Sequence, residues 1–332
     1  MTTSVNVFIT GATGFLGSAI TRMMVAAGHS VRALRRPTSN LDLLSGIEDQ
    51  LDWIEGDILD VEALAEGMQG IQAVFHCAAY VGFEGKSAEA KINLINVQGT
   101  ANVVNVAMDC NVDRVVHISS IAALGRSEST TDCLDESSEW TESSLNTAYA
   151  ITKHQAELEV YRGVAEGLDA VIVNPSLIMG PGRKGENTMQ IAEQVQDGKL
   201  PVLPSGGTNV VDVEDVAAGA VLALEKGRVG ERYVLSGHNL SWATILQTLA
   251  DALGVEPPRR QVSRRVLMIV ATALEVIGTI TRKNPLLTRE TARLSTSVSC
   301  YRNNKALEEL GCHFRPFNET AQRIASSMDA RA

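Results

Sequence analysis

Short apolar runs separated by helical stretches dominate the first half of the chain. "VNVFIT" (5–10), "SVRAL" (30–34), "LDWIEGD" (51–57), "AVFHCAA" (73–79), "RVVHISS" (114–120) and "DAVIVNP" (169–175) are rich in valine and isoleucine and lack clean polar alternation. Strands of that kind are buried on both faces, so the pattern predicts a parallel sheet covered by helices. The expected fold class is α/β: a Rossmann-type, doubly wound parallel sheet whose strand ends form the active edge. After Pro175 the regularity fades. "SLIMGPGRKGENT" reads as a loop into a second lobe, and "NVVDVEDVAAGAVLALEKG" (209–227) as a short strand and helix returning to the main domain, with Asp215 near the helix start. "GERYVLSG" (230–237) reads as another strand and "SWATILQTLADALG" (241–254) as another helix. A last helix closes the chain near Ser327. The predicted division is a first domain over 1–175, rejoined by 208–235, and a smaller, interwoven C-terminal substrate lobe occupying most of 176–332.

Size and charge narrow the function classes. A chain of 332 residues builds a large core without staples, and a formal charge of −10 disfavours a dedicated nucleic-acid binder. Cys77, Cys110, Cys133, Cys300 and Cys312 are scattered, odd in number and without CxxC pairing, which predicts reduced thiols and no structural zinc. "MTTSVNVFITG" runs directly into a strand without signal-peptide features, making the cytoplasm the expected compartment. "RRVLMIVATALEVIGTITRK" (264–283) is strongly apolar with basic flanks. Its interior of 16 residues, containing Glu275, is short for a bilayer span, which needs about 20 residues. It reads as a substrate-lobe or dimer-interface helix, with weak contact to a membrane surface as the second reading.

"TGATGFLG" carries glycines at 11, 14 and 17 between a strand and a helix, the context of a dinucleotide cradle. Gly11 permits the turn, Gly14 admits a pyrophosphate, and Gly17 lets the helix pack closely. The helix start, with Thr13, Phe15 and Leu16, supplies free amides for the phosphates. A dinucleotide without a 2′-phosphate is usually held by an acid at the end of the second strand. Here Arg35 stands in that place with Arg36 beside it, and Ser39 and Asn40 follow, which favours NADP(H) and leaves NAD(H) open. Asp57, followed by Ile58, is placed to accept from an adenine amino group. Ala78 and Ala79 end the fourth strand with side chains small enough to line the cofactor.

Tyr149 and Lys153 stand four positions apart, which puts them on one helix face. An ammonium there would lower the phenol's pKa and hold the nicotinamide ribose, and a tyrosine so poised can exchange a proton with an alcohol. Ser119 and Ser120 end the fifth strand beside them. Ser120 is the favoured catalytic donor and Ser119 a structural residue. Asn96 is placed to brace the active-site backbone or ribose, and Pro175 to shape the wall beside the nicotinamide. No metal is required, and His76, His117 and His154 show no ligand-like clustering.

In order, "GATGFLG", "GD" at Asp57, "HCAA", "NVQGT", "SS", "YAITK" and "NP" make the chain resemble an extended short-chain dehydrogenase/reductase of the NAD-dependent epimerase/dehydratase superfamily. "NVVDVEDVAAGAVLALEKGRVGERYVLSGHNLSW" and "LLTRETARL" are similar to the dihydroflavonol-4-reductase and 3β-hydroxysteroid dehydrogenase branch and to hopanoid-associated sugar epimerases. The resemblance implies catalysis by Ser120, Tyr149 and Lys153, adenine recognition by Asp57, and a homodimer built partly through the helices carrying Tyr149 and Asn96. It also implies that the C-terminal region, including the 266–281 helix, closes over the substrate. Tyr80 and "VGFEGKS" are expected to shape the substrate pocket. Arg35 departs from the acid of NAD-retaining sugar epimerases. The expected activity is therefore NADP(H)-dependent interconversion of a ketone and a secondary alcohol on an apolar small molecule such as a flavonoid, sterol or terpenoid. A nucleotide-sugar epimerase or dehydratase with tightly bound cofactor is the alternative, with Arg183 the candidate for a substrate diphosphate. A non-catalytic dinucleotide-binding protein is the third reading.

Overall fold

The computed structural model describes all residues except 1–3, 82–85, 126–131, 144–145, 187, 201–202, 259–263, 282–288 and 331–332. The expected pocket stretch after Tyr80 and the basic end of the 264–283 segment lie largely outside the described residues.

In chain order the strands are β1 (Asn6–Thr10), β2 (Ser30–Arg35), β3 (Leu51–Glu55), β4 (Ala73–His76), β5 (Arg114–Ile118), β6 (Ala170–Pro175), β7 (Leu177–Met179), β8 (Gly207–Asp212), β9 (Arg232–Leu235) and β10 (His238–Ser241). The helices are α1 (Phe15–Ala26), α2 (Val61–Met68), α3 (Lys86–Asn93), α4 (Gly99–Asp109), α5 (Ala148–Ala165), α6 (Met189–Gln196), α7 (Val213–Lys226), α8 (Trp242–Leu253), α9 (Arg264–Thr281), α10 (Arg289–Thr296) and α11 (Phe317–Asp329).

Seven parallel strands form one sheet in the order β3-β2-β1-β4-β5-β6-β9. Its central strands are apolar on both faces because helices cover both. Val7, Ile9, Phe75 and Val173 pack with α1 and α7, whereas Phe8, Val74, Val115 and Ile172 pack with α2, α4 and α5. The chain runs outward from β1 through β2 to β3, then restarts on the other side at β4. The strand order thus reverses between β1 and β4, where open α/β sheets form their ligand crevice. The expected strands over 73–79 and 114–120 stop early, at His76 and Ile118. Cys77 to Ala79 and Ser119 to Ser120 therefore leave the ladder at the crevice.

A second sheet of three strands, β10-β8-β7, carries another core, in which Met179, Val210, Ile245, Leu249 and Ile324 are buried. β7 lies within the stretch read as a loop; three residues are too few to display a period. β8, read as returning to the main domain, pairs instead with β7 and β10, while α7 and β9 do pack with the large sheet. Asp212, buried at the start of α7, caps Glu214 N at 2.8 Å. It also accepts from Thr320 Oγ1 at 2.8 Å and Arg323 Nη1 at 2.7 Å, tying α11 to the junction.

The cysteine expectation needs correction for one pair. Cys133 and Cys300 form a disulfide, with Cα atoms 4.4 Å apart. The cause is a β-bridge between Leu134 and Tyr301, in which Leu134 N donates to Cys300 O at 2.9 Å. A separation of 167 residues hid that proximity from the sequence. Cys77, Cys110 and Cys312 are free thiols. Among the described residues no helix is long and apolar enough to cross a membrane. α9 buries Leu267 and Ala271 and exposes Val266, Ile269 and Val270.

Candidate active site

The glycine loop between β1 and α1 is shaped by what a side chain would strike. Gly11 has φ +69°, and a Cβ there would sit 2.7 Å from Ala78 N. A Cβ on Gly17 would collide with the Gly11 carbonyl. Gly14 N donates to Gly11 O at 2.9 Å, closing the turn, and no side chain caps α1. The amides of Phe15 and Leu16 therefore open the helix with the positive end of its dipole facing the crevice. That uncapped end, below a loop that leaves no room for side chains, fits a pyrophosphate.

At the outer end of the crevice the Arg35 guanidinium lies 5.0 Å from the centre of the Trp53 ring, and its Nε is buried without a partner. Arg36 is exposed, and its amide donates to Ser39 Oγ at 3.1 Å. A guanidinium at the strand end, a second on the turn that follows and a hydroxyl at the turn's close suit a phosphate monoester. Asp57 is exposed, its Oδ1 accepting from Leu59 N at 2.7 Å. Ile58 is buried under α4, where it fills the space a side chain on Gly99 would need. Asn40 uses its side chain within its own loop, donating to Asp42 at 2.9 Å.

Arg183 Nη2 donates to Thr13 O at 2.9 Å and Asn40 O at 2.7 Å, so the second lobe grips the glycine loop and the loop after β2 together. Those two contacts engage Nη2, and Nη1 reaches Glu186 at 3.4 Å, while the buried Nε has no partner.

Towards the inner end, Ala78 N points at Thr10 Oγ1 (3.3 Å), and Ala78 and Ala79 line the crevice beside Gly11. Asn96 is buried and braces backbone: its Oδ1 accepts from Tyr80 N at 2.7 Å, and its Nδ2 donates to Tyr80 O at 3.1 Å and to Thr152 Oγ1 at 3.2 Å. Of the two tasks read for Asn96, its polar atoms serve the bracing one, engaging the Tyr80 backbone and the Thr152 hydroxyl. Pro175 ends β6 opposite Leu235, without a donor to offer.

α5 begins at an N-cap supplied by Thr147, whose side chain accepts from Ala150 N at 3.0 Å, and this sets the next residues over the end of β5. The Tyr149 phenol lies beside the Ser120 side chain. Ser120 Oγ accepts from Ala122 N at 3.1 Å. One turn deeper, buried Lys153 donates from Nζ to Ile118 O at 2.8 Å. Ser120, Tyr149 and Lys153 thus converge at the ends of β5 and β6, beside the crevice.

The electrostatics differ from the expectation of an acidified phenol. Burial pushes the Tyr149 pKa up, and only the Ser120 side chain pulls the other way. Burial also brings Lys153 down to about 8, opposed first by Glu157. The lysine cation is directed at the Ile118 carbonyl rather than at the phenol. His76 and His117 are buried beneath it, and burial with the nearby lysine drives both pKa values down, that of His76 to about 3. His76 is satisfied by Thr10 Oγ1 at 2.8 Å and Thr100 Oγ1 at 3.0 Å. Among the described residues no cluster of His, Cys, Asp or Glu is placed to hold a metal.

Residues 7–236 match the model of the NAD dependent epimerase/dehydratase family. The chain belongs to that family. A Synechocystis protein named as a dihydroflavonol 4-reductase is 34% identical over 326 residues, covering 97% of this chain and 93% of the relative. Sterol demethylase protein B of Methylococcus capsulatus is 30% identical, covering 91% of this chain and 92% of its own length. The crystal structure of gox2253 superposes with a TM-score of 0.85 at 32% identity, covering 99% of both chains. An NAD-bound dTDP-glucose 4,6-dehydratase from Streptomyces venezuelae shares the fold at a TM-score of 0.79 and 24% identity, covering 98% of this chain and 97% of its own. As a member of this epimerase/dehydratase family with reductase-named relatives, the chain is an enzyme of the extended short-chain dehydrogenase/reductase type.

Sequence reasoning passes over two polar residues around the site, Glu157 and Asn174, and does not foresee the carbonyl partners of Arg183. A glutamate four positions after Lys153, on the same buried helix face, was the signal available for Glu157.

Proposed function

We propose that the enzyme uses NADP(H) to reduce a ketone on an apolar small molecule, with the reverse alcohol oxidation open to the same groups. The supporting observation is the convergence of Ser120, Tyr149 and Lys153 at the inner end of a dinucleotide-shaped crevice. When bound, the reduced nicotinamide supplies the hydride. Ser120 Oγ donates to the carbonyl oxygen where negative charge builds, and Tyr149 delivers the proton that completes the alcohol. A phenol whose pKa is raised by burial is protonated at neutral pH, the state a reduction needs. Lys153 positions the strand end through Ile118 O and presents a cation near the ribose position. The preference for NADP(H) rests on Arg35, Arg36 and Ser39. A flavonoid-, sterol- or terpenoid-like substrate is favoured by the names of the relatives, which include a dihydroflavonol 4-reductase, a sterol demethylase and a ketoreductase of a farnesyl-bearing dihydroquinoline oxide, and by the Arg183 contacts, which turn one end of the guanidinium to carbonyls of this chain.

A second copy of the chain is the proposed partner. Leu94, beyond α3, and Ile151 and Leu158, on α5, are exposed apolar residues on neighbouring elements, which Asn93 Nδ2 joins by donating to Gln155 Oε1 at 3.2 Å. Light scattering should give the dimer mass, and a Leu158→Lys variant should give the monomer. The activity is tested with purified protein, NADPH and a panel of sterol, phenolic and simple ketones, followed by absorbance at 340 nm. Ketone-dependent loss supports the reading; silence across all three classes contradicts it.

A further inference from the structure

Behind Ser120 lies a buried carboxylate that the proton transfer leaves without a task. Glu157 sits one turn beyond Lys153 on α5 and is 1% exposed. Burying a carboxylate costs several kcal/mol unless charge pairing and hydrogen bonds offset it. The offset here comes from three elements. Ser119 Oγ donates to Glu157 Oε1, Asn174 Nδ2 donates to the same oxygen at 2.5 Å, and Arg232 Nη1 on β9 lies 3.5 Å from Oε2.

These contacts converge on the strand end that carries the reaction. Lys153 holds Ile118 O at 2.8 Å, Glu157 holds the Ser119 hydroxyl, and Asn174 holds Ser120 O at 2.9 Å. Three consecutive residues, 118 to 120, are each fixed by a polar side chain, and two of the three holds run through Glu157. We propose that Glu157 is a positioning residue: through Ser119 and Asn174 it fixes the backbone that presents the Ser120 hydroxyl, and as an anion it supports the Lys153 cation. This rests on the oxidoreductase reading and deepens it.

The charges around Lys153 favour the second role. From β4 it meets His76, from β5 His117, and just beyond β4 the Cys77 thiol, which burial pushes up to about 12. Both histidines and the thiol are uncharged at neutral pH, which leaves Glu157 the one carboxyl group among these neighbours. Burial pushes the Glu157 pKa up, while Ser119, Arg232, Asn174 and Lys153 oppose that shift. Tyr149, one turn before Lys153, is protonated there.

The test compares Glu157→Gln, Glu157→Asp and Ser119→Ala with the parent enzyme. Glu157→Gln should lower kcat at least about tenfold, with KM and cofactor Kd within about threefold, because the displaced group acts on the reacting geometry rather than on ground-state binding. Its loss of activity at high pH should begin about one unit lower than in the parent, since Lys153 loses its counter-charge. Glu157→Asp, which restores the charge, should return that limb towards the parent. Lys153 is also titrated without substrate, by the 13Cε signal that disappears in Lys153→Met; in Glu157→Gln it should titrate about one unit lower. Should Glu157→Gln fail to fold, Ser119→Ala removes one hold while keeping the charge, and should lower kcat with the lysine titration unmoved. A Glu157→Gln enzyme with kcat within twofold of the parent and an unshifted lysine titration would overturn the proposal, as would an unaffected Ser119→Ala enzyme. A parent without ketone reduction but with a shifted titration would contradict the oxidoreductase reading and leave the Glu157–Lys153 coupling supported.

Discussion

Gly11→Ala tests whether the first turn is built for close approach, and a control glycine separates the two costs involved. At Gly11 the backbone is left-handed, φ +69°, and an added methyl would lie 2.7 Å from Ala78 N and 2.9 Å from Cys77 C. Gly28 is also left-handed, φ +82°, but has nothing within 4 Å of its Cβ position. The backbone term, about 1–2 kcal/mol for a non-glycine residue, applies to both. The collision applies only to Gly11, where it meets backbone that no rotamer change can relieve, and overpacking of that kind costs about 1–3 kcal/mol. The gain from a stiffer unfolded chain is shared and cancels in the comparison. Gly11→Ala should therefore be destabilised beyond Gly28→Ala by about 1–3 kcal/mol in urea unfolding read at equal m. It should also weaken dinucleotide binding, measured by quenching of tryptophan fluorescence, whereas Gly28→Ala should not. Equal unfolding midpoints and equal cofactor affinities in the two variants would refute the reasoning.

Other outcomes follow from the same geometry. Arg35→Ala should weaken NADPH binding by about 10- to 100-fold, the loss of a charge-assisted phosphate contact, and leave NADH binding nearly unchanged; equal losses for both cofactors would place Arg35 elsewhere. His76 has its pKa lowered to about 3 in the folded protein, so below pH 6.5 the unfolded chain binds the extra proton and stability falls with pH. Urea unfolding should show roughly 1.6 kcal/mol lost to this group between pH 6.5 and 5, and His76→Gln should reduce that slope, leaving the part due to His117. Peptide mapping without reductant should recover Cys133 joined to Cys300, while Cys77, Cys110 and Cys312 alkylate after denaturation.

How much was legible in the sequence depended on the range over which each feature is encoded. The large sheet was readable because each buried strand is a local run of valine and isoleucine, and the cradle because its glycines, strand and helix lie within one short segment. Tyr149 and Lys153 were readable as a pair because one helix turn relates them. What escaped is long-range or brief. β7 has three residues, and the Cys133–Cys300 pairing depends on a bridge that folding alone creates. Arg183 was visible as a cation near a lobe entrance, but its carbonyl partners, Thr13 and Asn40, lie 170 and 143 residues away. The raised Tyr149 pKa was missed because a spacing rule brings the ammonium near the phenol and says nothing of desolvation, which dominates in the folded site.

The central claim is that Tyr149 transfers the proton while the dinucleotide crevice holds the cofactor independently of it. The direct measurement is single-turnover ketone reduction by Tyr149→Phe with NADPH prebound, alongside NADPH affinity. The account predicts a rate at least about 100-fold below the parent, with affinity within a few-fold. A Tyr149→Phe enzyme that reduces the ketone at the parental rate would contradict it.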